Sequence, residues 1–148
     1  PAPFLTRRAS LLPPRRVLEL GAGLGLPGIA AASLAPVLPV VLTDGDTDAL
    51  PALRANVKRN LPPGAGRCRQ LLWGKEAAER FFETKGGGFD VILAADVVYV
   101  AEVVGPLFET AEALLNPKGA VLFAFCARRD VGVTAEDVLE EAEGKGFR

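Results

Sequence analysis

A doubly wound α/β fold, an open parallel sheet of Rossmann type with helices on both faces, is the class this sequence predicts. Three observations carry it. Short apolar runs (VLEL at 17–20, VVL at 40–42, VILAA at 91–95, AVLFAF at 120–125) alternate with segments of helical character, as βαβ units do. Apart from Glu19 in the first, those runs are apolar at consecutive positions, the pattern of strands buried on both faces. Several of them end on Gly or Asp, at Gly21, Asp44 and Asp96, and ligands bind such sheets beyond the carboxyl ends of the strands.

The elements follow in chain order. VLEL (17–20) is a first short strand, and Pro27 stands in the first turn of a helix that runs through Ile29, Ala30–Ala32 and Leu34 and stops before Pro36. Val40–Thr43 is a second strand, ending at Asp44-Gly45. A helix over about Thr47–Asn60 accommodates Pro51 if Asp48 is its N-cap, because a first-turn proline removes only a donor without a partner. After the turn Pro62–Gly66, Arg67–Leu72 is a less apolar strand expected near a sheet edge, and Glu76–Thr84 is a short helix. Past Gly86–Gly88, FDVILAAD (89–96) is the most strand-like run and is expected at the sheet centre. A helix over Gly105–Leu115 carries Pro106 in its first turn, Asn116–Gly119 turns the chain, and Ala120–Cys126 is a fifth strand. Thr134-Ala-Glu-Asp137 has the spacing of a capping box for a last helix ending near Gly144.

The totals bound the chemistry. A chain of 148 residues with 49% apolar content is expected to be one domain, residues 1–148, able to bury a continuous core. Seventeen Lys and Arg against eighteen Asp and Glu leave no bulk charge to attract nucleic acid or an anionic membrane. The pairs Arg7-Arg8, Arg15-Arg16 and Arg128-Arg129 are read as solvated turns. The absence of histidine removes the commonest general base and metal ligand, and no metal is expected. Cys68 and Cys126 form no C-x-x-C pair, which points to a reduced cytosolic or nuclear setting without a disulfide. No stretch approaches ~18 consecutive apolar residues, so no membrane span is expected. The chain begins with Pro1 and holds no methionine, and is therefore expected to be a piece of a longer product.

The glycine-rich stretch admits two registers. Gly21-Ala-Gly23-Leu-Gly25 is a G-x-G-x-G loop, and Gly23-Leu-Gly25-Leu-Pro-Gly28 is literally G-x-G-x-x-G, the dinucleotide fingerprint. The second leaves Gly21-Ala22 unexplained and puts Pro27, which lacks an N–H, where bare amides would meet a pyrophosphate. The first places Glu19 just before the loop, where a carboxylate repels phosphate and suits a ligand bearing an ammonium and a sulfonium, as S-adenosylmethionine does. Asp44, 23 residues past Gly21, stands where an acid accepts ribose hydroxyls in either ligand class. Trp73, the one tryptophan, offers a flat face for a purine at a strand end or else fills the core. Asp96 either faces a substrate or caps the next helix.

The blocks VLELGAGLGLPGIAAA, VVLTDGD with Asn56-Val-Lys-Arg-Asn60, LLWG (71–74) and FDVILAADVVY (89–99) occur in the order found in the seven-β-strand protein-lysine methyltransferases of methyltransferase family 16, which the sequence resembles over about residues 15–127. The resemblance implies a Rossmann-like class I methyltransferase sheet, cut short before the last two strands and without the family's tryptophan-containing N-terminal segment. It implies S-adenosylmethionine as cofactor, with Gly21, Ala22 and Gly23 at its methionine part, Asp44 at the ribose, and Trp73 and Ala95 around the adenine. Glu19 and Gly25 complete the cofactor-binding set, and Asp96 and Tyr99 face the substrate. The implied partner is a lysine-bearing protein such as a chaperone or elongation factor, with no nucleic acid and no membrane, and the full-length protein is expected to be monomeric. A silent fold acting as an interaction module and a NAD-dependent oxidoreductase are the competing readings. Without further strands, Ala120–Cys126 is expected to form an apolar sheet edge.

Overall fold

The computed structural model describes residues 15–34, 38–85, 87–126 and 132–148. Five strands form one parallel sheet: β1 (Val17–Leu20), β2 (Val40–Asp44), β3 (Gly66–Gln70), β4 (Phe89–Ala95) and β5 (Leu115–Ala124), in the order β3-β2-β1-β4-β5. The helices are α1 (Leu26–Leu34), α2 (Leu50–Asn60), α3 (Lys75–Lys85), α4 (Val104–Leu114) and α5 (Ala135–Gly144), with a 3-10 turn over Ala101–Val103 ahead of α4. None of them is long and apolar enough to cross a membrane.

Strand alternation sorts the core into two layers. Val17, Val40, Leu42 and Leu93 face α1 and α2, where they meet Ala31, Leu50, Leu53 and Val57. Leu18, Leu20, Val41, Ile92 and Ala94 face the other side and pack against Phe81, Leu107, Phe108, Ala111 and Val138 of α3, α4 and α5. Phe89 lies in this second layer although it shares parity with Val91 and Leu93. The register shift between Phe89 and Val91 accounts for the change of face. Opposite that shift, Asn116–Gly119 interrupts β5: Phe89 pairs with Leu115 and Val91 with Ala120, so the expected turn stands as an irregularity within a longer strand. Asp90 fastens it, accepting from the Arg16 N–H at 2.9 Å and from Asn116 Nδ2 at 3.0 Å.

Further expectations are corrected. The middle strand is β1, not β4: all four of its residues are buried, and it pairs with β2 on one side and β4 on the other. Asp48 is not the cap of α2. Ala49 holds that position without a side-chain hydrogen bond, Pro51 lies in the first turn, and the Asp48 N–H is directed to Asp46 Oδ1 at 2.8 Å. The capping box of α5 forms as expected, Thr134 and Asp137 exchanging side-chain-to-backbone bonds. Cys68 is buried and Cys126 exposed, both free. The Arg7-Arg8 and Arg128-Arg129 pairs lie outside the described residues. Arg16 is not simply solvated, since its guanidinium lies 5.3 Å from the Phe89 ring centre.

Candidate functional site

The carboxyl ends of β1, β2 and β4 meet at one cleft. Gly21, Gly23 and Gly25 all take positive φ (61°, 51° and 82°), a left-handed turn sequence that L side chains rarely adopt. The turn is knitted to the sheet: the Ala22 N–H donates to the Thr43 carbonyl at 2.8 Å and the Gly25 N–H to the Ala22 carbonyl at 2.7 Å. A β-carbon on Gly25 would strike Leu53 and Leu42, and one on Gly21 would lie 2.7 Å from Val97 Cγ1 and 3.1 Å from Trp73 Cζ2. At Gly23, by contrast, it would meet only open space. Gly23 is thus the glycine at which a ligand can come up against the backbone.

Gly28 has a different use. A β-carbon there would come within 2.5 Å of Glu19 Oε2 and 2.9 Å of Leu42 Cδ2, so its lack of a side chain lets α1 close onto β1 and β2. The Gly28 N–H then donates to Glu19 Oε2 at 3.1 Å. Both glycine registers are therefore physically employed, the first in the loop and the last glycine of the second in packing. Glu19 is only 2% exposed and lies beneath the loop, outside the cleft lining. Burial pushes its carboxyl up to about 8, against the Gly28 N–H and with the charge of Asp44 reinforcing the rise. The expectation that its carboxylate faces a ligand does not match this placement; it holds the amino end of α1.

Asp44 ends β2 with both oxygens engaged. Oδ2 accepts from the Gly23 N–H at 2.8 Å and Oδ1 from the Asp46 N–H at 3.0 Å. A carboxylate has about four lone-pair positions, so acceptor capacity remains on the side facing the cleft. On the far wall the chain after β3 turns at Gly74, whose φ of 122° again requires glycine. The cleft, of about 650 Å3, is lined by Gly21, Gly23, Asp44, Trp73, Tyr99 and the unforeseen Val97, with Gly45, Leu71, Leu72, Val103 and Pro106 completing it.

Among the expected site residues, then, Gly21, Gly23, Asp44, Trp73 and Tyr99 converge on one cleft. Ala22 and Gly25 are buried parts of the turn that shapes it. Ala95 and Asp96 lie just outside: β1 and β4 pair with Leu20 opposite Ala94, which carries residues 95 and 96 alongside Gly21 and Ala22. Asp96 is exposed, takes a φ of 54°, and donates its N–H to the Ala124 carbonyl at 2.8 Å. Tyr99 is 57% exposed at the rim. Among the described residues no group of three or more His, Cys, Asp or Glu is arranged to hold a metal ion. The apolar wall of Val97, Val103 and Pro106 escaped the sequence reading because it depends on how α4 docks. The one signal for it was Val97 directly following Asp96.

A parallel sheet with a left-handed glycine turn after β1 and an acid ending β2 is a Rossmann-type architecture that the class I methyltransferases share, and solved structures agree on the fold. The chain superimposes on a methyltransferase from Pyrococcus furiosus with a TM-score of 0.71 at 22% identity, covering 99% of this chain and 72% of that one. The lysine methyltransferase family model matches residues 6–140, and the chain belongs to that family. It is 42% identical over 113 residues to the protein N-lysine methyltransferase METTL21A of Danio rerio, covering 74% of this chain and 49% of that protein. To the EEF1A lysine methyltransferase 3 of Mus musculus it is 37% identical over 120 residues, covering 80% and 48%. The chain thus spans about half the length of these curated relatives.

Proposed function

We propose that this chain is the cofactor-binding part of an S-adenosylmethionine-dependent methyltransferase that modifies a lysine ε-amine on a protein. The observation that carries the reading is Gly23: left-handed, open where a β-carbon would be, and bonded to the Asp44 carboxylate that ends the next strand. The residues suit the cofactor. Gly23 allows its methionine part to reach the backbone beside Gly21, Asp44 keeps acceptor capacity for ribose hydroxyls, and Trp73, with the cleft's apolar side chains, offers a face for adenine. When bound, the cofactor supplies a methyl group already activated by its sulfonium.

The remaining work falls to the chain. A lysine amine has a pKa of about 10.4 in water and must lose its proton before it can attack. The exposed Asp96 carboxylate attracts the incoming ammonium and orients it, and Tyr99 walls its approach. Most of the rate then comes from alignment of the two reactants. A lysine-bearing protein partner fits the named relatives, one of which is named for EEF1A, and two free cysteines suit a reduced, cytosolic setting.

Two measurements test the reading. S-adenosylhomocysteine is expected to raise the melting temperature, because a ligand bound only by the folded state stabilises it by mass action, whereas NAD is expected to leave it unchanged. Incubation with labelled S-adenosylmethionine and a cell lysate is expected to label a protein band. A shift with NAD alone would overturn the cofactor assignment, and cofactor binding without labelling would favour an interaction module.

A further inference from the structure

We infer that Thr110, on α4 and outside the cleft, is the positioning residue that sets Trp73 against the glycine loop; the inference rests on the reading of the cleft as the cofactor site. Thr110 is fully buried, and both capacities of its hydroxyl are in use. Oγ1 donates to the Pro106 carbonyl at 2.8 Å and accepts from the Gly74 N–H at 2.8 Å. The first bond aims the hydroxyl hydrogen back along α4, which leaves a lone pair directed at Gly74. The Gly74 carbonyl in turn accepts from the Ala78 N–H at 3.0 Å and opens α3. Gly74 is thereby clamped between α3 and α4, in a backbone conformation that only glycine takes easily.

Trp73 is the residue immediately before this clamp. Its ring fills the space beside Gly21, since a β-carbon there would lie 3.1 Å from Cζ2. One hydroxyl therefore joins three parts of the cleft: Pro106 on one wall, the Trp73-Gly74 turn on the other, and through the indole the first glycine of the loop. Valine at 110 would keep nearly the same shape but leave the Gly74 N–H without its acceptor, a change that a buried donor resists. Serine would keep the hydroxyl and lose only a methyl group.

Trp73 is the only tryptophan, so its fluorescence reports this geometry without any ligand. Thr110→Val, Thr110→Ser and Val57→Ala are compared with the parent chain by acrylamide quenching and by S-adenosylhomocysteine titration, with urea unfolding run on each. Val57 packs on α2 across the sheet, so Val57→Ala controls for general loss of stability. Thr110→Val is expected to red-shift and expose Trp73 and to weaken S-adenosylhomocysteine by roughly tenfold, the scale of one unsatisfied buried hydrogen bond. Thr110→Ser is expected to restore both readouts, and Val57→Ala to lower the urea midpoint without moving Trp73. Unchanged quenching and affinity in Thr110→Val, or an equal change in Val57→Ala, would overturn the inference. If the parent chain fails to bind S-adenosylhomocysteine, the cofactor reading falls, while the ligand-free quenching comparison still decides whether Thr110 sets Trp73.

Discussion

Asp44 and Asp96 each terminate a strand, yet their surroundings assign them different work. Asp44 is held by two backbone N–H groups, and Asp96 is exposed in a left-handed conformation. Asparagine tolerates that conformation as well as aspartate does, so Asp96→Asn removes charge without adding strain. It is expected to hold S-adenosylhomocysteine within about 1 kcal/mol of the parent, near the net worth of one hydrogen bond, and to lose methylation in a full-length context. Asp44→Ala is expected to lose cofactor affinity first. Calorimetry paired with a methylation assay separates the two, and normal turnover in Asp96→Asn would reduce Asp96 to a structural residue. Gly23→Val puts a β-branched residue at a φ of 51° and its side chain into the cleft, so a titration with S-adenosylhomocysteine is expected to give no heat. Glu19 carries a pH signature. Its carboxyl, ordinarily near 4.5, titrates at about 8 in the folded chain, so between those values the folded state keeps a proton that the unfolded state releases. That contribution to stability is complete below about pH 4.5 and is lost as pH rises toward 8. The parent chain is expected to lose about 2–3 kcal/mol from this group between pH 5 and 7. Glu19→Gln keeps an acceptor for Gly28 and is expected to flatten that slope in urea unfolding.

Elements differ in how far their own residues determine them. The capping box of α5 is a purely local device, visible in the spacing of Thr134 and Asp137 and formed as such. Thr134→Ala is expected to cost about 1 kcal/mol, read as a lowered urea midpoint; no change would mean that α5 is held by packing alone. The start of α2 was misjudged because Asp48 takes part in a relay in which the Asp46 N–H donates to Asp44 and the Asp48 N–H to Asp46. That relay begins at the end of a strand, outside the window in which caps are recognised. Strand order was similarly hidden: β4 is as apolar as a middle strand should be, but which strand lies in the middle depends on pairing between residues far apart in the chain. In the site, Gly21, Gly23, Asp44, Trp73 and Tyr99 were legible because each closes or follows a predicted strand. Thr110 was not, since its bond to Gly74 joins residues 36 apart and exists only once α4 has docked.

At the scale of the molecule the two sheet edges are unlike. Arg67 and Arg69 stand exposed on β3, charges that discourage another strand from pairing there. Residues 120–124 of β5 carry no charge, and among the described residues β5 pairs with β4 alone. The chain is expected to self-associate as its concentration rises, and Ala120→Lys, at an exposed position of that strand, to reduce the association in sedimentation velocity; a parent chain that stays monomeric throughout would show that the edge is covered. The bond between the Gly23 N–H and Asp44 has a consequence in time. Because a carboxylate of the neighbouring strand already holds the loop, the entropy of ordering it is lost when the chain folds, not when a ligand arrives. In deuterium exchange without ligand, the Gly23 amide is therefore expected to be slow for so open a position. Association then has no loop closure to wait for, and its rate follows how often the two molecules meet in a suitable orientation.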